Sequence, residues 1–111
     1  MPYENGMYST EGDVNVSRHV VEMIAAVAVK ETKYVSFTQE DTKLSERALM
    51  KHVKVDESDK GITINLSLYI AYGQSIIKTV TAVQERITQD MDTMLAMTPR
   101  SVNVKVVGIQ L

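Results

Sequence analysis

The chain has 111 residues, a formal charge of -2 and no cysteine. That length fits one domain, and the lack of cysteine excludes disulfides, thiolate zinc sites and cysteine nucleophiles. The mixed charge argues against a general nucleic-acid binder, which needs a basic face, and no apolar run approaches the ~20 residues of a membrane-spanning helix.

Met1 to Glu11 is polar and aperiodic and reads as a flexible tail. It lacks a basic region followed by an apolar core, so no signal peptide is expected. The domain is expected over residues 12–111. Gly12-Asp13 is a turn signal, and Val14-Asn15-Val16 reads as a short alternating strand. Ser17 is placed to cap a helix over about Arg18 to Lys30. Val20, Val21, Ile24, Ala25, Val27 and Ala28 make its broad apolar face. The small alanines suit close packing better than a membrane surface, where basic residues and large anchors are usual.

Lys33 to Gln39 is β-branched and aromatic and reads as a strand, whereas Glu40 to Leu49 admits a loop or a helical turn and is expected mostly as loop. Lys51 to Tyr72 is expected as a hairpin turning at Asp56 to Lys60. Its second strand places Ile62, Ile64, Leu66, Leu68 and Ile70 on one face. Gly73 relieves the exit turn, and a helix follows from about Gln74 to Met97. Ile76, Val80, Val83, Ile87, Met91, Met94 and Leu95 form its stripe, and Pro99 disfavours helix at Thr98. Val102, Val104 and Val106 share one face of a final strand; the apolar set then shifts to Val107, Ile109 and Leu111, as a bulge at Gly108 would cause. The fold expected is α+β, a two-layer sandwich with a small mixed sheet and two helices packed on one face.

Reactive chemistry is sparse. His19 has only Glu22 within a helical turn, and His52 is flanked by lysines, so both read as surface or structural. Asp56, Glu57 and Asp59 lack the further ligands of a calcium loop and read as a solvated turn. Ser45, Glu46 and Lys51 match no serine-lysine motif. Gly73 stands alone, without the further glycines of a phosphate loop. No catalytic residue, metal site or cofactor is expected. Met91, Met94 and Met97 default to core filling, but their grouping at one helix end also suits an adaptable contact surface. Asn103 and Lys105, between core valines, should face solvent or a neighbouring subunit. These five are the candidate partner contacts.

Three blocks carry a family resemblance. They are Gly12 to Ser17 with Val20, Val21, Ile24, Ala25 and Ala28; Tyr72-Gly73 with Ile76, Ile77, Val80, Val83-Gln84 and Ile87; and Val102-Asn103-Val104 with Val106 and Gly108-Ile109. In this order they resemble the alkaline shock protein family of Gram-positive bacteria, typified by alkaline shock protein twenty-three and the Gls-type general stress proteins. Members usually have a Gly-Val pair after the first helix, where this chain has Lys33-Tyr34-Val35, and often Thr-Gly-Leu at the end of the long helix, where it has Thr98-Pro99-Arg100. The resemblance implies a non-enzymatic, cytoplasmic protein of the cell-envelope stress response, acting as a scaffold or adaptor. It also implies self-association into a homo-oligomer and protein partners. In some members the partner is a small membrane-anchor protein; others resemble regulators of fatty-acid synthesis linked to acetyl-CoA carboxylase.

Overall fold

The computed structural model describes residues 16–39 and 45–111. The expected tail and the residues Val14 and Asn15 of the first expected strand lie outside them; Val16 packs on the core without joining a strand. The first helix, α1, spans Arg18–Glu31 and buries Val21, Ile24, Ala25, Ala26, Ala28 and Val29. Ala26 and Val29 therefore take the inward places that the spacing assigned to Val20 and Val27, which are exposed and half-buried. Burial against the sheet and α3 removes the apolar stripe that a surface-lying membrane helix would need. Ser17 stands at the N-cap in extended backbone but makes no side-chain cap bond.

The segment expected as a seven-residue strand keeps only Val35–Ser36, β1. Tyr34 before it has a φ of +71°, the left-handed region that glycine enters freely and a bulky residue enters at a cost. That residue ends the ladder on its N-terminal side, and bends at residues 37–39 end it on the other. In the stretch expected as loop, Glu46–Leu49 forms a helical turn, α2, continued by a 3-10 turn at Met50–His52. Residues 40–44 lie outside the described set. The Ser45 side chain accepts a hydrogen bond from the Ala48 backbone amide, and Leu49 and Met50 are buried. A cap and two buried side chains stabilise a piece too short to be helical alone.

The hairpin is β2, Val53–Ser58, and β3, Gly61–Ala71, joined by Asp59 and Lys60. β3 is the central strand. β4, Ser101–Gln110, runs parallel along it from Thr63 to Ala71. β1 and β2 both pair with β3 antiparallel, at Tyr69 and Ile70 and over residues 61–66 respectively. They therefore share its other edge end to end, and the sheet is mixed. A parallel neighbour requires a crossover, and α3, Ile76–Leu95, supplies it. α1 and α3 pack on the same sheet face, enclosing Ile64, Leu66 and Leu68 with Val83, Ile87 and Met91. The two-layer α+β arrangement agrees with the sequence expectation.

The ends of α3 depart from expectation. Its core contacts come from Thr79, Val83, Ile87 and Met91, while Ile76 and Met94 are exposed. Leu95, the last of the expected stripe, is half-buried against the core. The helix stops at a left-handed Ala96 (φ +54°), whose amide bonds to the Asp92 carbonyl, before Pro99 is reached.

The change of face in β4 is real, but its site differs from the expectation. Leu68 pairs with Val106 and Tyr69 with Gly108, so Val107 is the inserted residue. Ile109 thereby returns to the helix-side face opposite Ile70. Gly108 has a separate role. A Cβ there would lie 2.8 Å from Tyr69 Cε2 and 2.9 Å from Cδ2; the glycine makes room for the tyrosine ring across the strands.

Candidate contact surfaces

The sheet face away from the helices is polar because alternate strand residues point to opposite faces. Its centre is a cross-strand row of Lys54, Asn65 and Asn103. Asn103 Nδ2 donates to Asn65 Oδ1 at 3.0 Å, and Asn65 Nδ2 donates to Asp56 Oδ2 at 3.0 Å. Asp56 is thus engaged in an amide ladder. In the next row Lys105 pairs with Ser67. Together with His52, these residues line a shallow open concavity. The His52 ring stacks on Phe37, with centroids 5.5 Å apart, which gives that histidine a packing role.

Both strand candidates, Asn103 and Lys105, therefore lie on the open sheet face and are exposed. The methionine group divides. Met91 is fully buried, so it leaves the candidate contact set; it faces the sheet one turn beyond Ile87. Met97 is half-buried against the core. Met94 is 65% exposed and is the member available to a partner.

The remaining polar groups tie elements together. Arg86 donates through Nη2 to Glu31 Oε1 and through Nε to Asp90 Oδ2, the latter at 2.9 Å. These bonds, Glu31's first, raise the guanidinium pKa above its ordinary value. Lys30 donates to Glu46, joining α1 to α2. That hydrogen bond, followed by the one from Glu46's own backbone amide, lowers the Glu46 pKa. His19 Nδ1 lies 3.2 Å from Glu22 Oε1, the weak pair that the spacing allowed.

Sequence reading missed two residues of this framework. Gln84 Nε2 donates to the Val102 carbonyl at 3.0 Å, tying α3 to β4. Gln110 accepts from Ser36 Oγ at 2.9 Å and donates to the Gln39 carbonyl at 3.1 Å, bracing β4 to the β1 segment. The signal for Gln84 was its place in the Val-Gln pair, where Val83 is core and the next residue reaches the adjoining strand. Gln110 had no local signal.

Among the described residues no group of three His, Cys, Asp or Glu is arranged to hold a metal ion. Likewise, no described helix is long and apolar enough to cross a membrane.

Together these features define a two-layer α+β domain whose polar sheet face and outer β4 edge are left uncovered by the described residues. Residues 6–111 match the family model of alkaline shock protein 23, described as having a cell envelope-related function. The chain belongs to that family. It is 35% identical over 105 residues to the uncharacterized protein YqhY of Bacillus subtilis (strain 168), covering 89% of this chain and 78% of that protein. No solved structure matches the chain.

Proposed function

We propose that this protein is a non-enzymatic scaffold or adaptor of the envelope stress response, working through protein contacts and self-association. The observation carrying this reading is the position of β4. One edge of this ten-residue strand pairs with β3, and the other has no strand partner among the described residues. A long open edge presents backbone donors and acceptors that recruit another strand. On its helix-side face Val102, Val104 and Val106 are only half-buried, so a neighbour pairing there would also cover apolar surface. Asn103 and Lys105 flank that edge on the polar face and would set register.

Sedimentation velocity across a concentration series, combined with cell fractionation, tests the proposal. The expected result is a concentration-dependent oligomer that fractionates with the envelope when its anchoring partner is present. Bulky or charge-reversing substitutions at Asn103 and Lys105 should weaken the oligomer without unfolding it. A monomer at every concentration, with no envelope fraction in any background, refutes the proposal. Co-purification with acetyl-CoA carboxylase and a change in its activity would instead favour regulation of fatty-acid synthesis.

A further inference from the structure

The end of the molecule where β3 and β4 finish gathers exposed apolar side chains from separate parts of the chain. The Ala71 amide donates to the Tyr34 carbonyl at 2.9 Å, and the Tyr72 amide donates to the Gln110 carbonyl at 2.8 Å. Gly73, with φ +91°, then turns the chain into α3. Ser75 caps that helix by accepting from the Lys78 amide at 3.2 Å. These bonds fix Tyr34, Tyr72, Ile76 and Ile77 at one end. Tyr34 is 53% exposed, Tyr72 73% and Ile77 76%; Ile76 is also exposed.

The segments that carry them hold charge of one sign. Segments 32–39, 69–84 and 101–111 contain lysines but no aspartate or glutamate. Glu40 and Asp41, next in the chain, lie outside the described residues. Lys33 and Lys78 form no ion pair among the described residues. Lys78 stands in the first turn of α3, which has no acidic residue to offset it. A cation there opposes the helix dipole, so helix stability does not explain its presence. Tyr34 is costly too, because its backbone is left-handed. Three open concavities among the described residues are lined by other side chains, and these four are exposed.

We propose that this end is a peripheral contact for an anionic lipid surface. Tyr72, Ile76 and Ile77 enter the headgroup boundary, with Tyr34 at its rim and Lys33 and Lys78 on lipid phosphates. Exposed tyrosines beside aliphatic anchors and lysines suit an interface with one apolar and one wet side. A second copy is the poorer occupant. A two-fold contact sets a patch against itself, which would bring the uncompensated lysines and α3 N-termini of both copies together. The inference stands apart from the adaptor reading, because it concerns a different surface.

The test is co-sedimentation of the full chain with vesicles of phosphatidylcholine containing one-quarter phosphatidylglycerol, against phosphatidylcholine alone. Binding should require the anionic lipid. The paired change Lys33→Glu with Lys78→Glu should weaken it at least about tenfold, since each basic residue near such a surface contributes appreciably. Tyr72→Ser with Ile77→Ser should also release the protein while leaving its thermal midpoint unchanged. Failure to bind anionic vesicles, or equal binding by these variants, overturns the inference. So does loss of self-association by Tyr72→Ser with Ile77→Ser in lipid-free sedimentation, which would make this end a protein interface. Pull-down of protein partners is unaffected by a negative vesicle result, so the two readings fail separately.

Discussion

Replacing Tyr34 by glycine and, separately, by alanine isolates a backbone cost. At most exposed positions alanine is the more stabilising of the two, because glycine loses more chain entropy on folding, by about 0.4–1 kcal/mol. At Tyr34 the order should invert. The φ of +71° places a residue with a Cβ in a region costing about 1–3 kcal/mol, a penalty glycine escapes. Setting the two against each other leaves Tyr34→Gly more stable than Tyr34→Ala by about 1 kcal/mol. Both variants lose the same ring, so its partial packing cancels in the comparison. At about 2.1 cal/mol/K per residue of unfolding entropy, that difference moves the midpoint of a chain this size by about 4 °C. Denaturant unfolding with matched slopes, supported by calorimetry, measures it. Equal stability, or alanine the more stable, would refute a left-handed backbone at Tyr34 and remove the account given for where β1 begins.

Gly108→Ala should destabilise by about 1–3 kcal/mol, as overpacking does, because the new methyl meets the Tyr69 ring. Most of that loss should vanish in a Tyr69→Ser background when the two are compared by a double-mutant cycle. Met91→Ala should cost about 2–5 kcal/mol by emptying a buried site, whereas Met94→Ala should change stability by less than about 0.5 kcal/mol; urea midpoints distinguish them. Glu46→Gln should lower stability slightly at neutral pH. The folded pKa of Glu46 is lowered, principally by its hydrogen bond with Lys30, so its contribution is present above the unfolded value. That contribution is lost as pH falls through the folded value, and the two proteins should converge in acid. A difference that persists unchanged below the carboxylate range would contradict this.

The local pattern carried much of the fold. Period-two alternation identified β3 from Ile62 to Ile70, because a half-buried strand imposes that repeat on its own sequence. The central stripe of α3, from Val83 to Met91, was legible for the same reason at helical spacing. Apolar spacing alone could not tell which members of the stripe meet the core, as Leu95 does. Ile76 and Met94 continue the period and are nevertheless exposed. The helical turn at Glu46 was the weaker reading because, beyond the local Ser45 cap, its stability comes from burying Leu49 and Met50 against segments that no short window contains. Of the candidate contacts, alternation correctly put Asn103 and Lys105 on the face opposite the valines. Helical spacing grouped Met91 with Met94, although burial separates them.

By itself the sequence determined the class of fold, the two helices, the long strand and the polar character of one sheet face. Each follows from repeat and composition within a few tens of residues. The resemblance blocks now have physical meanings as well: Val83-Gln84 joins core to strand, Val102-Asn103-Val104 alternates core with amide ladder, and Gly108 admits Tyr69. Only the tertiary structure decided that β4 lies parallel on β3, with an outer edge that no described strand pairs. It also brought Tyr34, Tyr72 and Ile77 to one end. Those features depend on which distant segments pair, and pairing is settled by the joint burial of the core and by hydrogen bonds such as Tyr72 to Gln110, which link residues far apart in the chain.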